Sequence, residues 1–350
     1  MEKKIILWVN ILLCTALFMG SQAYAETFSE LYRSSCLKAY LENGRLLFEQ
    51  YDYVEQSAKL VCTSEDGRTV WEAELPSSAG VGTLLAQAGE DILYACRRPE
   101  DNRVILTRYS QEGRHLSTHT LPEDAGMHLL VNNRVFFISE GALKACDSEG
   151  AIQTVSPDNI GKCISLYEAE GNNDTSAFHI RVEKDGKFKH LLFVLNQKLE
   201  NYWVFDMGKV ELDDQRHRLA VSPQGYVSMV QIEGNRTLCL TSFDASGSTI
   251  ASKKIVFPEG EDSFITQVRM STADDTKVWG SFVISGEFKG WRVTMGQEGD
   301  AVHFEVCPQR VDSIPYIQEN LYAIVDPLGS PILQREDELE WHAEKEISVK

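Results

Sequence analysis

The sequence predicts an all-β chain assembled from one strand–turn–strand unit repeated about seven times. Three observations predict it. The unit recurs along almost the whole length, glycine marks most of its turns, and helical patterning is scarce. The clearest copy is Leu60 to Pro76, LVCTSEDGRTVWEAELP, two short strands folded over Glu65-Asp66-Gly67. Glycine there supplies the positive φ that a tight hairpin needs.

Six further segments align on that turn. Ile105 to Pro122 turns at Glu112-Gly113, Ala142 to Pro157 at Glu149-Gly150, and Leu238 to Pro258 at Ser246-Gly247. Trp291 to Pro308 turns at Glu298-Gly299, and a degenerate copy, Leu321 to Gln334, turns near Gly329. Leu191 to Met207 keeps the outline but lacks the glycine near Asn196-Gln197. Spacings of roughly 30 to 50 residues fall in the range of a propeller blade. Pro76, Pro122, Pro157 and Pro258 close their copies, as suits a residue with no N–H to give a ladder. Short apolar runs precede most copies: Arg45–Phe48, Asp91–Tyr94, Arg134–Phe137, Phe178–Ile180, Tyr226–Val230 and Ser281–Ile284. Each unit therefore has three to four strands.

Helical candidates are Thr27 to Tyr40 and the charged tail Arg335 to Lys350. In the tail, Leu339, Trp341 and Ala343 alternate like a strand, so it either closes the sheet system or stays a solvated end. No Pro- or Gly-rich linker divides the chain. Twisted sheets of this kind bury their faces only against neighbours. The expectation is a single β-propeller of about seven blades over residues 26–350. A pair of β-sandwiches is the alternative.

The first copy also carries a resemblance. Glu65-Asp66-Gly67-Arg68-Thr69-Val70-Trp71 resembles the acid-x-Gly-basic-x-x-Trp segment of pyrroloquinoline-quinone-type propeller repeats. The resemblance implies that this segment joins the outer two strands of a blade and that Trp71 docks between blades. At the matching positions, Leu116 or Ser117 stands in the second copy, Gln153 in the third, and apolar or small residues afterwards. Quinone binding is not carried over, and no cofactor is expected.

Residues 1–25 read as a signal peptide. Lys3 and Lys4 precede the apolar run Ile5 to Met19, and Ala23-Tyr24-Ala25 offers a small-x-small cleavage pattern. The run is shorter than the ~20 residues a membrane span needs, so no stable membrane insertion is expected. The chain carries 52 acidic and 34 basic residues, for a formal charge of -18. Removing Glu2, Lys3 and Lys4 takes away a net +1, leaving -19. A surface this acidic repels phosphate backbones, which argues against a nucleic-acid partner. Seven cysteines remain after cleavage, without a CxxC pair, and several sit in apolar strand runs, so they read as small buried hydrophobes.

Recognisable chemistry is sparse. His115 and His119 are four apart, but in a strand that spacing separates them by about 13 Å, too far to share a metal. His179 and His190 bracket a hairpin turning at Asp185-Gly186 and are placed to meet across it. Asp274-Asp275, with Glu261 and Asp262 upstream, lacks the order of a calcium loop. Asp213-Asp214 and Arg216-His217-Arg218 read as a polar loop. No GxSxG elbow or phosphate-cradling glycine loop occurs. Tyr202-Trp203, Trp279 and Trp291 lie in β-rich runs and read as packing between blades rather than as sugar platforms. No catalytic, cofactor-binding or metal-ligating residue is assigned.

The expected function is an exported, non-catalytic propeller that binds a protein or glycan through its rim loops. One alternative is an extracellular glycosidase or lyase with acidic residues at the central channel. Another is a cell-envelope assembly scaffold. Fold alone does not choose among them.

Overall fold

The computed structural model describes residues 35–40, 45–52, 57–64, 68–75, 84–88, 91–98, 101–126, 128–131, 133–172, 174–196, 198–200, 202–208, 217–257, 264–271, 276–284, 287–296, 302–308, 310–312, 321–325, 331–335, 340–343 and 348–349. The chain is a β-propeller. Among the described residues seven antiparallel sheets follow one another in chain order. The first contains β1 (Ser35–Tyr40), β2 (Leu46–Asp52), β3 (Ser57–Thr63) and β4 (Thr69–Glu74), and the second β5 (Leu84–Ala88), β6 (Asp91–Arg97), β7 (Val104–Ser110) and β8 (His115–Thr120). The third contains β9 (His128–Val131), β10 (Arg134–Ser139), β11 (Ala142–Asp147) and β12 (Ile152–Thr154). The fourth has the longest strands: β13 (Lys162–Gly171), β14 (Thr175–Lys184), β15 (Lys187–Asn196) and β16 (Tyr202–Gly208). The fifth runs β17 (His217–Val221), β18 (Val227–Glu233), β19 (Thr237–Phe243) and β20 (Thr249–Val256), the sixth β21 (Phe264–Ser271), β22 (Thr276–Ile284), β23 (Glu287–Met295) and β24 (Val302–Cys307). The seventh has β25 (Arg310–Asp312), β26 (Leu321–Val325) and β27 (Pro331–Arg335). By compactness residues 1–79 form one unit and residues 80–350 another, so the first sheet lies in the first unit and the other six in the second.

Every repeated segment of the sequence coincides with the last two strands of a sheet, and the apolar runs before them coincide with second strands. The first strand of each sheet is what the pattern passes over. Ser35–Tyr40 is such a strand rather than a helix, held by a ladder to β2 from Ser35↔Gln50 to Tyr40↔Leu46. Ladder bonding there overrides a weak helical pattern. The tail contributes two short edge strands: β28 (His342–Ala343) pairs with β24, and β29 (Ser348–Val349) pairs with β20. Residues 1–25, Glu65-Asp66-Gly67, Asp213, Asp214, Arg216, Glu261, Asp262, Asp274, Asp275, Glu298-Gly299 and Gly329 lie outside the described residues.

One turn chemistry joins the last two strands of several sheets. Ser110, Asp147 and Asp244 each accept from the glycine N–H three residues on, at 2.9, 3.1 and 3.0 Å. Their side-chain oxygens also accept from the second and fourth N–H groups, as in Asp244 Oδ1 to Ser246 (2.8 Å) and Ser248 (2.9 Å). A small acceptor first and a positive-φ residue fourth therefore specify the turn. In the fourth sheet Asn196 takes the first position, and Leu199 adopts the positive φ of 61°. The copy that lacks its glycine keeps its turn for this reason.

Strand alternation divides the fourth sheet between two neighbours. On one face Phe178, Ile180, Val182, Leu191, Phe193 and Leu195 pack against Val131, Phe136, Leu143 and Ala145 of the third sheet. Phe136 and Phe178 are 4.5 Å apart by ring centroids. On the other face Ala177, Leu192, Val194 and Met207 meet Leu219, Val227, Met229 and Phe243 of the fifth. A larger apolar cluster between the fifth and sixth sheets centres on Trp291, Phe257 and Phe304.

Candidate functional site

The chemically distinctive feature of the described residues is a histidine cluster in the junction of the fourth and fifth sheets. His179 lies on β14 with Ala177 and points to the face that meets β17. His190 on β15 sits diagonally across the hairpin, since Arg181 pairs with His190 and His179 with Leu192. The turn that sets this register is Asp185-Gly186, with φ of 52° and 69° at its two residues. Two positive φ angles are those of a type I′ hairpin. His179 Nε2 and His190 Nδ1 are 2.9 Å apart, so one ring donates and the other accepts.

The fifth sheet supplies the third imidazole. His217 opens β17, is 3% exposed, and stands edge-on to His179 with centroids 4.4 Å apart. From β13, Tyr167 covers the rings at 4.8 Å from His179 and 5.6 Å from His190, and Glu168 Oε2 lies 3.8 Å from His217 Nε2. Arg218 closes the β17 side by donating to the His217 carbonyl at 2.6 Å. Arg181 lies on β14 with its guanidinium over Phe188.

Burial governs the charge of this cluster. It holds the His179 imidazolium down to a pKa of about 2, with His217 and His190 adding to the effect. His190 is lowered in the same direction, first by burial and then by Arg181. An imidazole has little means of keeping a proton where water is excluded and a second ring faces it. The Nδ1 atom of His179 is buried without a hydrogen-bond partner among the described residues.

The cluster does not have metal geometry. Two nitrogens on a tetrahedral zinc stand about 3.3 Å apart, given Zn–N lengths near 2.05 Å, wider than the 2.9 Å found here. Among the described residues no group of three His, Cys, Asp or Glu side chains is placed to hold a metal ion. What the arrangement does chemically is keep neutral imidazoles together inside a packed junction.

The two histidines expected to meet across the hairpin do so. His217 departs from expectation: the run Arg216-His217-Arg218 reads as a polar loop, yet His217 begins a strand and is buried. Glu168 and Tyr167 carry no sequence signal either, because β13 contains two register shifts, at Cys163/Ser165 and Leu166/Glu168, that erase its period of two. His115 and His119 also differ from a simple strand. A register shift between Arg108 and Tyr109 breaks the alternation of β8. His115 Nε2 therefore reaches Thr118 Oγ1 at 2.8 Å, while His119 turns toward Gly150 of the next sheet.

The tryptophan position of the repeat recurs where the sequence alignment did not place it. Trp71 lies opposite Cys62, two residues before Ser64, which opens the turn; Trp203 lies opposite Val194, two residues before Asn196. Trp203 is thus the equivalent residue in the fourth sheet. It packs at 5.4 Å from Phe243 and lies over the Gly247 turn of the fifth sheet, where a Cβ would fall 2.7 Å from its ring.

Cys62, Cys146 and Cys163 are buried free thiols, and Cys239 is a half-buried one. Desolvation raises Cys62, Cys146 and Cys239 to about 11.

No protein family matches the chain, and no curated protein matches it in sequence. Solved structures do. Hydrazine synthase of Kuenenia stuttgartiensis is 8% identical with a TM-score of 0.50, covering 85% of this chain and 94% of that one. The β-propeller domain of the Trilobed protease from Pyrococcus furiosus, described as having an open velcro topology, is 10% identical (TM-score 0.47; 74% and 79% covered). BamB from Moraxella catarrhalis is also 10% identical (TM-score 0.45; 85% and 84% covered). Likeness at this level of identity concerns the fold alone. No helix among the described residues is long and apolar enough to cross a membrane.

Proposed function

We propose that the chain is an exported, non-catalytic propeller that binds a protein partner. One observation carries this reading: the last strand of a sheet repeatedly presents apolar side chains to solvent. Leu116 on β8, Ile152 on β12, Tyr202 and Val204 on β16, and Ile250 on β20 are all exposed. Beyond β8, β12 and β16 no further strand is paired among the described residues, whereas β20 and β24 each take a strand from the tail. An extended segment adding to such an edge satisfies the free N–H and C=O groups and covers alternate side chains. The chain's own tail uses this mode twice. The contact expected at rim loops therefore moves, in this reading, to the outer edges. Export rests on the N-terminal leader pattern of residues 1–25.

The test screens residues 26–350 against a displayed random-peptide library, a glycan array and a polysaccharide-cleavage panel. Enriched peptides that lose binding on Val204→Lys are the expected result, because an edge lysine blocks strand addition. Glycan retention without peptide enrichment, or product released from any polysaccharide, contradicts the proposal.

A further inference from the structure

The histidine cluster has a consequence independent of what the propeller binds. Its two closest nitrogens share one hydrogen bond, which needs one donor and one acceptor. A single added proton leaves a donor facing an acceptor. A second makes both rings donors and sets two positive charges face to face inside the junction. The groups that face the pair are Tyr167 and Glu168 from β13, Arg181 from β14, and His217 and Arg218 from β17. Glu168 is a carboxylate, 3.8 Å from His217, and can balance one charge there. Arg181 and Arg218 oppose further positive charge.

Protonation thus acts first on the contact between sheets, and the ladders of the two strands that lose this packing, β14 and β17, open after it. The imidazoles of β14 and β15 face β17, while the backbone pairing within the fourth sheet runs unbroken through ten residue pairs, from Thr175↔Asn196 to Lys184↔Lys187. We propose that the junction of the fourth and fifth sheets is an acid-sensitive seam, in which proton uptake by the facing pair His179 and His190 parts β17 from β14 before the other sheets open.

The sign follows from burial. His179 is held well below the usual imidazole range in the fold, so the open seam binds more protons than the closed one. Closure is fully favoured above pH about 6.5 and weakens as the pH falls below it. Each histidine kept neutral by closure changes the opening equilibrium by about tenfold per pH unit well below pH 6.5, or about 30-fold between pH 7.5 and 5.0.

Hydrogen–deuterium exchange at pH 7.5 and 5.0, corrected for intrinsic rates, tests the proposal on the whole chain. Amides of β14 and β17 are expected to lose protection by 30-fold or more at pH 5.0, while β10 and β11 of the third sheet change by less than threefold. His179→Gln and His190→Asn should each flatten that pH dependence; a variant that fails to fold at pH 7.5 leaves the wild-type comparison between sheets to decide. Equal loss of protection in all sheets overturns the proposal. So does a β17 response that persists unchanged in a folded His179→Gln or His190→Asn protein.

Discussion

The two faces of the fourth sheet meet their neighbours through different chemistry. Toward the third sheet the face is dominated by apolar side chains, with Phe178 and Phe193 tilted against each other among Leu and Val side chains. Toward the fifth it is apolar only where Ala177, Leu192, Val194 and Trp203 lie, and ends in three imidazoles, a tyrosine and a carboxylate. The same backbone, one residue out of phase, builds both. That junction is insensitive to acid, because burial pushes the thiol of Cys163 up from its ordinary value and keeps it neutral. The histidine end couples the second junction to the proton.

The largest expected effect comes from breaking the apolar side. Phe178→Ala leaves a cavity against Phe136 and Phe193 and should destabilise the fold by about 3–5 kcal/mol in urea titrations. Its stability–pH profile should stay parallel to that of the wild type.

Acid sharpens the contrast from the other side. Because the folded-state pKa of His179 lies below its unfolded value, the fold binds fewer protons than the unfolded chain. The stability this group contributes is complete above about pH 6.5 and declines as the pH falls toward about 2. Between pH 7 and 5 the loss through His179 alone should be about 2 kcal/mol, and His179→Gln should abolish that share.

Turn substitutions probe the junction more gently. Gly247→Ala must both hold a positive φ of 85° and displace the Trp203 ring, and should cost about 2–3 kcal/mol. Gly186→Ala, at φ 69° with open space around it, should cost about 1 kcal/mol. Equal losses would show that Trp203 does not dock on that turn.

The smallest effect concerns the thiols. With pKa values near 11, Cys62 and Cys146 are about one part in a thousand thiolate at pH 8. Neither should label with a thiol reagent in the native protein, and both should label fully in denaturant, as followed by peptide mapping.

Much of the architecture was legible in the sequence because its signals are local. A small acceptor with a glycine three residues later specifies the outer hairpins at Ser110, Asp147 and Asp244, and the seven segments aligned in the sequence all proved to be strand pairs. First strands were less legible. β13 carries two register shifts, and β17 is five residues long beside a charged run, so neither keeps a period of two. The histidine cluster was half visible for the same reason. His179 and His190 belong to one regular hairpin, and their meeting follows from its turn. Tyr167, Glu168 and His217 join them only through contact between sheets, which spacing along the chain does not encode. Trp203 was hidden differently: with Leu199 doing the work of glycine, the repeat's alignment slipped at that copy.

The most direct measurement is a ring-nitrogen NMR titration of the histidine-labelled protein from pH 7.5 to 4.5. The account predicts that one buried imidazole, assigned by loss in His179→Gln, stays neutral while the β14–β17 seam is closed and takes up a proton only as that seam opens, with its shift coupled to that of His190. A His179 ring that titrates near pH 6.5 in the folded protein would contradict it.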